Sequence, residues 1–217
     1  MSIEKIPMKK GYFITLEGIE GAGKSTALGY ISNSLLKAKI PFIQTREPGG
    51  TMLAEAIRQI LLTPTEELVS PDTELLLMFA SRAQHIHQVI LPALRAGKWV
   101  VSDRFTDATY AYQGGGRGIL EQRIAQMESW VQGELRPDCT LLLDLPVDLG
   151  MQRVKARKGR LDRIEKEKYA FFERVRANYL ERAKKNPSRC HIINAAQEIQ
   201  LVEREVCTII QNMIDQQ

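Results

Sequence analysis

Eight residues, GIEGAGKS from Gly18 to Ser25, carry the densest chemistry in the chain. Glycines spaced in this way ahead of a lysine and a hydroxyl let successive backbone N–H groups turn inward on phosphate oxygens. Lys24 then reaches the β and γ phosphates of a nucleoside triphosphate, and the Ser25 hydroxyl is placed for Mg²⁺. Gly18, Ile19, Glu20, Gly21, Ala22, Gly23, Lys24, Ser25 and Thr26 are therefore the candidate nucleotide cradle, with Lys24 also a candidate catalytic group. Glu20 does not fit that chemistry, because it sets a negative charge beside polyphosphate. Such a carboxylate either faces solvent or serves a second ligand.

Further candidates sit just after apolar runs. Arg46 follows PFIQT and Arg104 follows WVVSD, and a guanidinium fork grips phosphate in a bidentate manner, so the two are candidates for a second phosphate. Asp103 ends WVVSD where a metal-binding carboxylate would stand, and Asp144 after CTLLL is its rival. Glu17, at the end of YFITLE, reads as an orienting or structural group. The basic stretch QRVKARKGRLDRIE, 152–165, reads by itself as a solvated helix end and turn. His85, His87 and His191 form no ligand set, and Cys139, Cys190 and Cys207 are odd in number without metal-ligand spacing, which makes them packing residues.

The elements that must position these groups follow from hydrophobic patterning. YFITLE, PFIQTRE, WVVSDR, CTLLLDL and CHIIN are short apolar, β-rich runs. Helical spacing follows them over Lys24–Lys37, Met52–Leu62, the segment after Phe105, Val147–Arg157 and Ile199–Ile214. Strand alternating with helix predicts an α/β fold, a three-layer parallel sheet of about five strands flanked by helices. Longer helical stretches run over Asp72–Ala96, interrupted by Pro92, and Lys166–Lys184, while EPGGT and QGGGRG read as loops. Ligands of such sheets bind beyond the carboxyl ends of the strands, where the candidates above fall.

Composition narrows the class. A chain of 217 residues, 44% hydrophobic and 26% charged, is expected to form one domain over 1–217, and no apolar run approaches the roughly 18 residues of a membrane span. MSIEKIPMKKG lacks the apolar core of a secretory signal, so the expected compartment is cytoplasmic. A net charge of +4 would suit nucleic acid or phosphorylated small molecules, but 30 basic against 26 acidic residues is a mild excess. Neither NKxD nor DxxG occurs, which disfavours a GTPase switch, and a small-molecule kinase is the leading class. The rival from another class is a regulatory ATPase that hydrolyses ATP without an acceptor.

TREPGGT at 45–51, LMFASRAQH at 77–85, DRF at 103–105, TYAYQGGGRG at 109–118 and RLDRIE at 160–165 sharpen that choice. Together, in this order and over nearly the whole chain, they resemble the thymidylate kinase family of P-loop kinases. The resemblance implies transfer of the ATP γ-phosphoryl group to dTMP with Mg²⁺, giving dTDP for dTTP synthesis, with another nucleoside monophosphate kinase as the alternative. It implies a homodimer acting on a small molecule, with no nucleic acid or membrane partner. Glu20 would meet the acceptor's 3′-hydroxyl, Arg46 and Arg104 its phosphate, and Asp103 with Ser25 the Mg²⁺ and its waters. Arg82 would face thymine, with Thr109 and Gln113 beside the base and the Tyr112 ring against the sugar's 2′ carbon. Many members have an aromatic residue four before that arginine; here Met78 stands there and Phe79 follows, and Phe79 is the preferred stacking ring. The 153–164 region would be a mobile lid. Some members carry an arginine in the phosphate loop, whereas this chain has Gly21 there, so lid arginines must supply the charge. Arg157 and Arg163 are the choices, with Arg153 and Arg160 as competitors.

Overall fold

A computed structural model describes residues 11–157 and 161–216, so the readings of residues 1–10 and of Arg160 lie outside the described residues. The five apolar runs become β1 (Phe13–Glu17), β2 (Phe42–Arg46), β3 (Trp99–Asp103), β4 (Cys139–Asp144) and β5 (Cys190–Asn194). They pair in parallel in the order β2-β3-β1-β4-β5. Every residue of β1 is buried, as a central strand covered on both faces requires, whereas β2 and β5 are partly exposed edges. Alternation along the strands feeds two cores. Ile14, Leu16 and Val101 join Ala27, Ile31 and Leu35 of α1 (Lys24–Lys37) and Val206 and Ile210 of the last helix (Ile199–Asp215). Phe13, Val100 and Phe105 pack with Ile86, Ile90 and Ala93 instead. The chain leaves β1 toward β2 on one side and later crosses to β4 on the other, which opens a crevice at the carboxyl end of β1.

Two helical segments differ from the sequence expectation. The long stretch around Pro92 divides into α3 (Pro71–His85), a π-helical turn (Ile86–Ile90) and α4 (Leu91–Arg95). Proline in a continuous α-helix would clash with the carbonyl one turn back; the wider turn, closed by Leu91 N–H donating to the Ile86 carbonyl, makes room. QGGGRG is largely helix rather than loop: α5 (Thr106–Thr109) runs into a π-helical segment, Tyr110–Gly116. Its glycines permit close approach to α8 (Tyr169–Lys185). A Cβ at Gly115 would lie 2.8 Å from the Arg174 carbonyl oxygen, and one at Gly116 would lie 2.5 Å from the Phe171 ring. α6 (Glu121–Gln132), which the patterning does not single out, then precedes β4 and α7 (Val147–Ala156).

Between β2 and α3, α2 (Met52–Leu62) begins with Thr51 as cap, its hydroxyl accepting from Ala54 N–H at 3.1 Å. α3 begins in the same way, the Ser70 hydroxyl accepting from Thr73 N–H, with Pro71 in the first turn. α1 has no side-chain cap: Gly23 stands before it in the left-handed conformation, and its first-turn donors face the crevice.

Candidate active site

A cavity of about 380 Å³ opens at the carboxyl ends of the central strands. At one end it is lined by Glu20, Gly21, Gly23, Lys24, Ser25, Asp103 and Arg104, and at the other by Met78, Arg82, Thr109, Tyr112 and Gln113. Arg58, Arg157 and Asp162 also line it. The structure thus gathers groups from residues 20 to 165 that the sequence holds far apart.

The Gly18–Ser25 loop is shaped by its backbone. Gly18, Gly21 and Gly23 all have positive φ, while the side chains of Ile19 and Ala22 are buried in the core below. Ser25 and Thr26 are exposed at its mouth. Lys24 Nζ donates to the Gly18 and Ile19 carbonyls, both at 3.0 Å, closing the loop over itself. Burial, joined by the nearby Arg104 charge, pulls the Lys24 ammonium down to about 8. A polyphosphate would reverse that repulsion. Gly21 admits no side chain: its φ is +76°, and a Cβ would sit 2.4 Å from the Gly150 carbonyl oxygen of α7.

Arg104 is the hub of the site. Its Nη1 donates to the Gly18 carbonyl at 2.9 Å and to Tyr179 Oη at 3.0 Å, and its Nη2 to Glu20 Oε1 at 2.9 Å. The guanidinium lies over the Tyr112 ring, 4.8 Å from its centroid. Its backbone has φ +72°, a strained conformation for arginine that turns the side chain back across the loop. Glu20 also accepts the Tyr112 hydroxyl, so the carboxylate is held between two groups above the cradle rather than dispersed in solvent.

Asp103 and its rival separate cleanly. Asp144 is gripped by Arg176, Nε to Oδ1 at 2.7 Å and Nη2 to Oδ2 at 2.9 Å, and does not line the cavity. Asp103 lines it beside Lys24 and Ser25, and its Oδ1 is buried with no hydrogen-bond partner among the described residues. An acceptor buried at this cost suits a cation. Among the described residues no three His, Cys, Asp or Glu side chains form a metal cage, so a cation here would draw most ligands from phosphate and water, as Mg²⁺ does.

Glu17 lies beneath the site, fully buried, accepting Phe105 N–H and the Tyr179 hydroxyl, each at 2.8 Å. Burial and the neighbouring Asp107 carboxylate push it up to about 8. Between its unfolded value near 4.5 and about 8 the unfolded chain has lost this proton while the folded chain keeps it, so stability falls as pH rises through that window. Glu17→Gln removes that dependence. Over pH 5 to 8 the Tm of the unaltered protein should fall by roughly 5–10 °C more than that of the variant. Parallel Tm profiles from calorimetry would show the group ionised throughout.

At the other end, Arg82 is 2% exposed. Its Nε donates to Glu47 Oε2 at 2.7 Å, and its Nη2 to Thr109 Oγ1 at 2.9 Å and to the Phe105 carbonyl at 3.2 Å. Glu47 Oε1 also bonds His85 Nδ1 at 2.9 Å, and His85 Nε2 bonds Thr45 Oγ1, so His85 is a support of the arginine and not a ligand. Gln113 donates Nε2 to Glu74 Oε1 at 2.8 Å. At this end of the cavity two buried side-chain atoms have no hydrogen-bond partner among the described residues: Arg82 Nη1, a donor, and Gln113 Oε1, an acceptor.

Three sequence assignments need correction. Phe79 does not line the cavity; it is 1% exposed in a cluster with Leu75, Tyr110, Ile119 and Ile124, and Met78 faces the site instead. One residue along a helix is a rotation of about 100°, enough to send the ring into the core. Arg46 is about half exposed, paired with Glu55 at 2.9 Å, and absent from the cavity lining; Arg58 of α2 takes that place. Arg58 shares the inward face of α2 with Ala54 and Leu61, and a basic residue on an otherwise buried face was the signal available in the sequence. Arg163 points away from the phosphate loop, donating to the Leu61 carbonyl at 2.7 Å and to Glu74 at 2.6 Å. Of the other arginines in the basic stretch, Arg157 lines the cavity and pairs with Glu165, while Arg153 donates to the Gly21 and Ala195 carbonyls.

Comparison with known proteins agrees with this geometry. The family model described as thymidylate kinase matches residues 16–206. The thymidylate kinase of Pseudomonas entomophila (strain L48) is 57% identical over 205 residues, 94% of this chain and 97% of its own. That of Pseudomonas syringae pv. syringae (strain B728a) is 55% identical over 207 residues, covering 95% and 98%. The crystal structure of thymidylate kinase from Ehrlichia chaffeensis superposes with a TM-score of 0.73 at 34% identity, covering 93% of this chain and 99% of that one.

Proposed function

This chain belongs to the thymidylate kinase family, it phosphorylates dTMP to dTDP with ATP as donor, and we propose how its cavity divides that work. The observation that carries the reading is the pair of partnerless atoms at the base end, the Arg82 Nη1 donor and the Gln113 Oε1 acceptor. Thymine presents O4, an acceptor, beside N3–H, a donor, which is the complementary pattern. Met78 and Phe105 supply apolar surface beside it, and the Tyr112 ring leaves room for deoxyribose over ribose.

At the phosphate end the loop backbone from Gly18 to Thr26 and Lys24 hold the ATP phosphates, while Arg58 and Arg104 take the acceptor phosphate. Burial and the charges of Arg46 and Arg104 lower the Arg58 pKa, and an anion between these guanidiniums relieves that crowding. Glu20 exchanges part of its bonding with Arg104 and Tyr112 for the acceptor's 3′-hydroxyl. Ser25 and Asp103 would hold Mg²⁺, which would supply positive charge to offset that of the phosphates. Transfer is in-line between two ligands fixed by the chain, so positioning and charge neutralisation supply the catalysis, with no covalent enzyme intermediate.

The lid spans about 153–164 in a single domain over 1–217, and Arg157 is its catalytic arginine. It closes the mouth against water, a competing acceptor. The next measurement separates these roles. Arg58→Ala and Arg157→Ala should each lower kcat/KM at least tenfold, about 1.4 kcal/mol of barrier, with Arg46→Ala within about threefold of the unaltered enzyme. A large loss at Arg46 with none at Arg58 would return the acceptor phosphate to β2. We place the enzyme in the cytoplasm as a homodimer. Leu53, Ala56 and Ile60 on α2 and Leu76, Ala80 and Ala83 on the adjacent α3 leave an exposed apolar stripe that a second copy would cover. A monomeric mass in light scattering at micromolar concentration would remove the dimer from this account.

The function itself is tested by ADP release with ATP and Mg²⁺ against dTMP, dUMP, UMP, dCMP and AMP. ADP formed with AMP alone, or without any acceptor, would overturn it.

A further inference from the structure

Glu74 lies in the first turn of α3, is 1% exposed, does not line the cavity and has no part in the chemistry described above. It nevertheless collects four hydrogen bonds from three places in the chain. Oε1 accepts from Gln113 Nε2 at 2.8 Å and Arg117 Nε at 3.2 Å; Oε2 accepts from Arg117 Nη2 at 3.1 Å and Arg163 Nη2 at 2.6 Å. Arg163 stands at the C-terminal end of the proposed lid, and its own backbone N–H donates to the Leu62 carbonyl at 2.9 Å. Burial pushes the Glu74 carboxyl up, but the bonds from Arg117, Gln113 and Arg163 hold it below the ordinary carboxylate value. It is an ion that can only accept.

That restriction matters because the two ends of a carboxamide have nearly the same shape, and hydrogen bonds alone decide which way it faces. Beside an acceptor-only group the Gln113 NH₂ must turn toward Glu74, which leaves Oε1 for the cavity. Were the amide reversed, the cavity would present two donors, Arg82 Nη1 and Gln113 Nε2. Cytosine, with N3 as an acceptor, would then meet a donor there while its amino group still faced Arg82, and thymine would face a donor at N3–H, so each base would carry one mismatch and the discrimination would be lost.

We propose that Glu74 is a positioning residue that sets, through the direction of the Gln113 carboxamide, which pyrimidine the cavity accepts. The inference rests on the dTMP reading above. By also holding Arg163, Glu74 ties the root of the lid to the base-reading side chain, so the two are fixed by one buried carboxylate.

The test compares Glu74→Gln with the exchange Glu74→Gln/Gln113→Glu. The carboxamide that Glu74→Gln introduces can donate as well as accept, so the Gln113 amide is free to reverse in the single variant. The carboxylate that Gln113→Glu introduces in the exchange offers only acceptor oxygens to the base. Both variants lose the charge that anchors Arg117 and Arg163, so a purely structural effect appears equally in both. The ratio of kcat/KM for dTMP over dCMP is expected to fall at least tenfold in Glu74→Gln and to recover in the exchange, with KM for ATP unchanged in both. An unaltered ratio in the single variant, or the same loss in both, overturns the proposal. Should the variants not fold, the side-chain NH₂ signals of Gln113 in the unaltered protein answer the question. They should be protected from solvent exchange and barely move when dTMP binds; a large shift means that the NH₂ faces the ligand, and the proposal falls. The unaltered enzyme run in parallel keeps the two readings apart. If it turns over no dTMP, the parent reading fails and this one with it; if it does and the variant ratio holds, this one fails alone.

Discussion

Arg104→Ala should lower kcat/KM for dTMP by about three orders of magnitude, and Arg104→Lys should recover little of it. One guanidinium simultaneously meets the Gly18 carbonyl, Tyr179 and Glu20 and covers the Tyr112 ring. A lysine ammonium is a point charge without the planar fork that spans these partners. The loss expected combines missing charge at the proposed acceptor-phosphate site with a Glu20 carboxylate held by Tyr112 alone. Backbone strain at φ +72° offers a control. Arg104→Gly accepts that conformation without strain, so it should melt no lower than Arg104→Ala while being equally inactive. Steady-state kinetics retaining more than a tenth of the activity in Arg104→Ala would remove this residue from the acceptor site.

The second large effect is expected at the base. The unaltered enzyme should prefer dTMP over dCMP by about 10⁴ in kcat/KM, but over dUMP by only about ten- to a hundredfold. Uracil has the same O4 and N3–H edge as thymine and lacks only a methyl group, whose burial against Met78 is worth about 1–3 kcal/mol. Cytosine inverts the edge, leaving the Arg82 Nη1 donor facing an amino group and the Gln113 Oε1 acceptor facing a ring nitrogen lone pair. Buried groups left without partners in this way cost much more than a missing methyl. Equal turnover of dCMP and dUMP in the ADP-release assay would mean that the edge is not read.

Much of this arrangement was legible along the chain. GIEGAGKS specified the loop between β1 and α1 because its conformation is local: glycines at positive φ set the backbone, and the helix follows at once. Strand and helix order was likewise a matter of local periodicity, and all five runs became strands. The misreadings share a cause. Phe79 and Met78 differ by one position on a helix, and which of them meets the cavity depends on how α3 seats against Tyr110, Ile119 and Ile124. Arg58 stands twelve residues beyond Arg46, and only the packing of α2 against α3 brings it to the cavity.

By itself, then, the sequence determined the parallel α/β architecture, the glycine-built loop after β1 and the kinase family, each written in residues close together along the chain or in recurring motifs. Only the tertiary structure decided which arginine enters the cavity, which of two aspartates is left free, and which end of the Gln113 amide faces the base. Those choices depend on partners distant in sequence, Arg176 for Asp144 and Glu74 for Gln113, and on the requirement that a buried polar atom find a partner or a ligand.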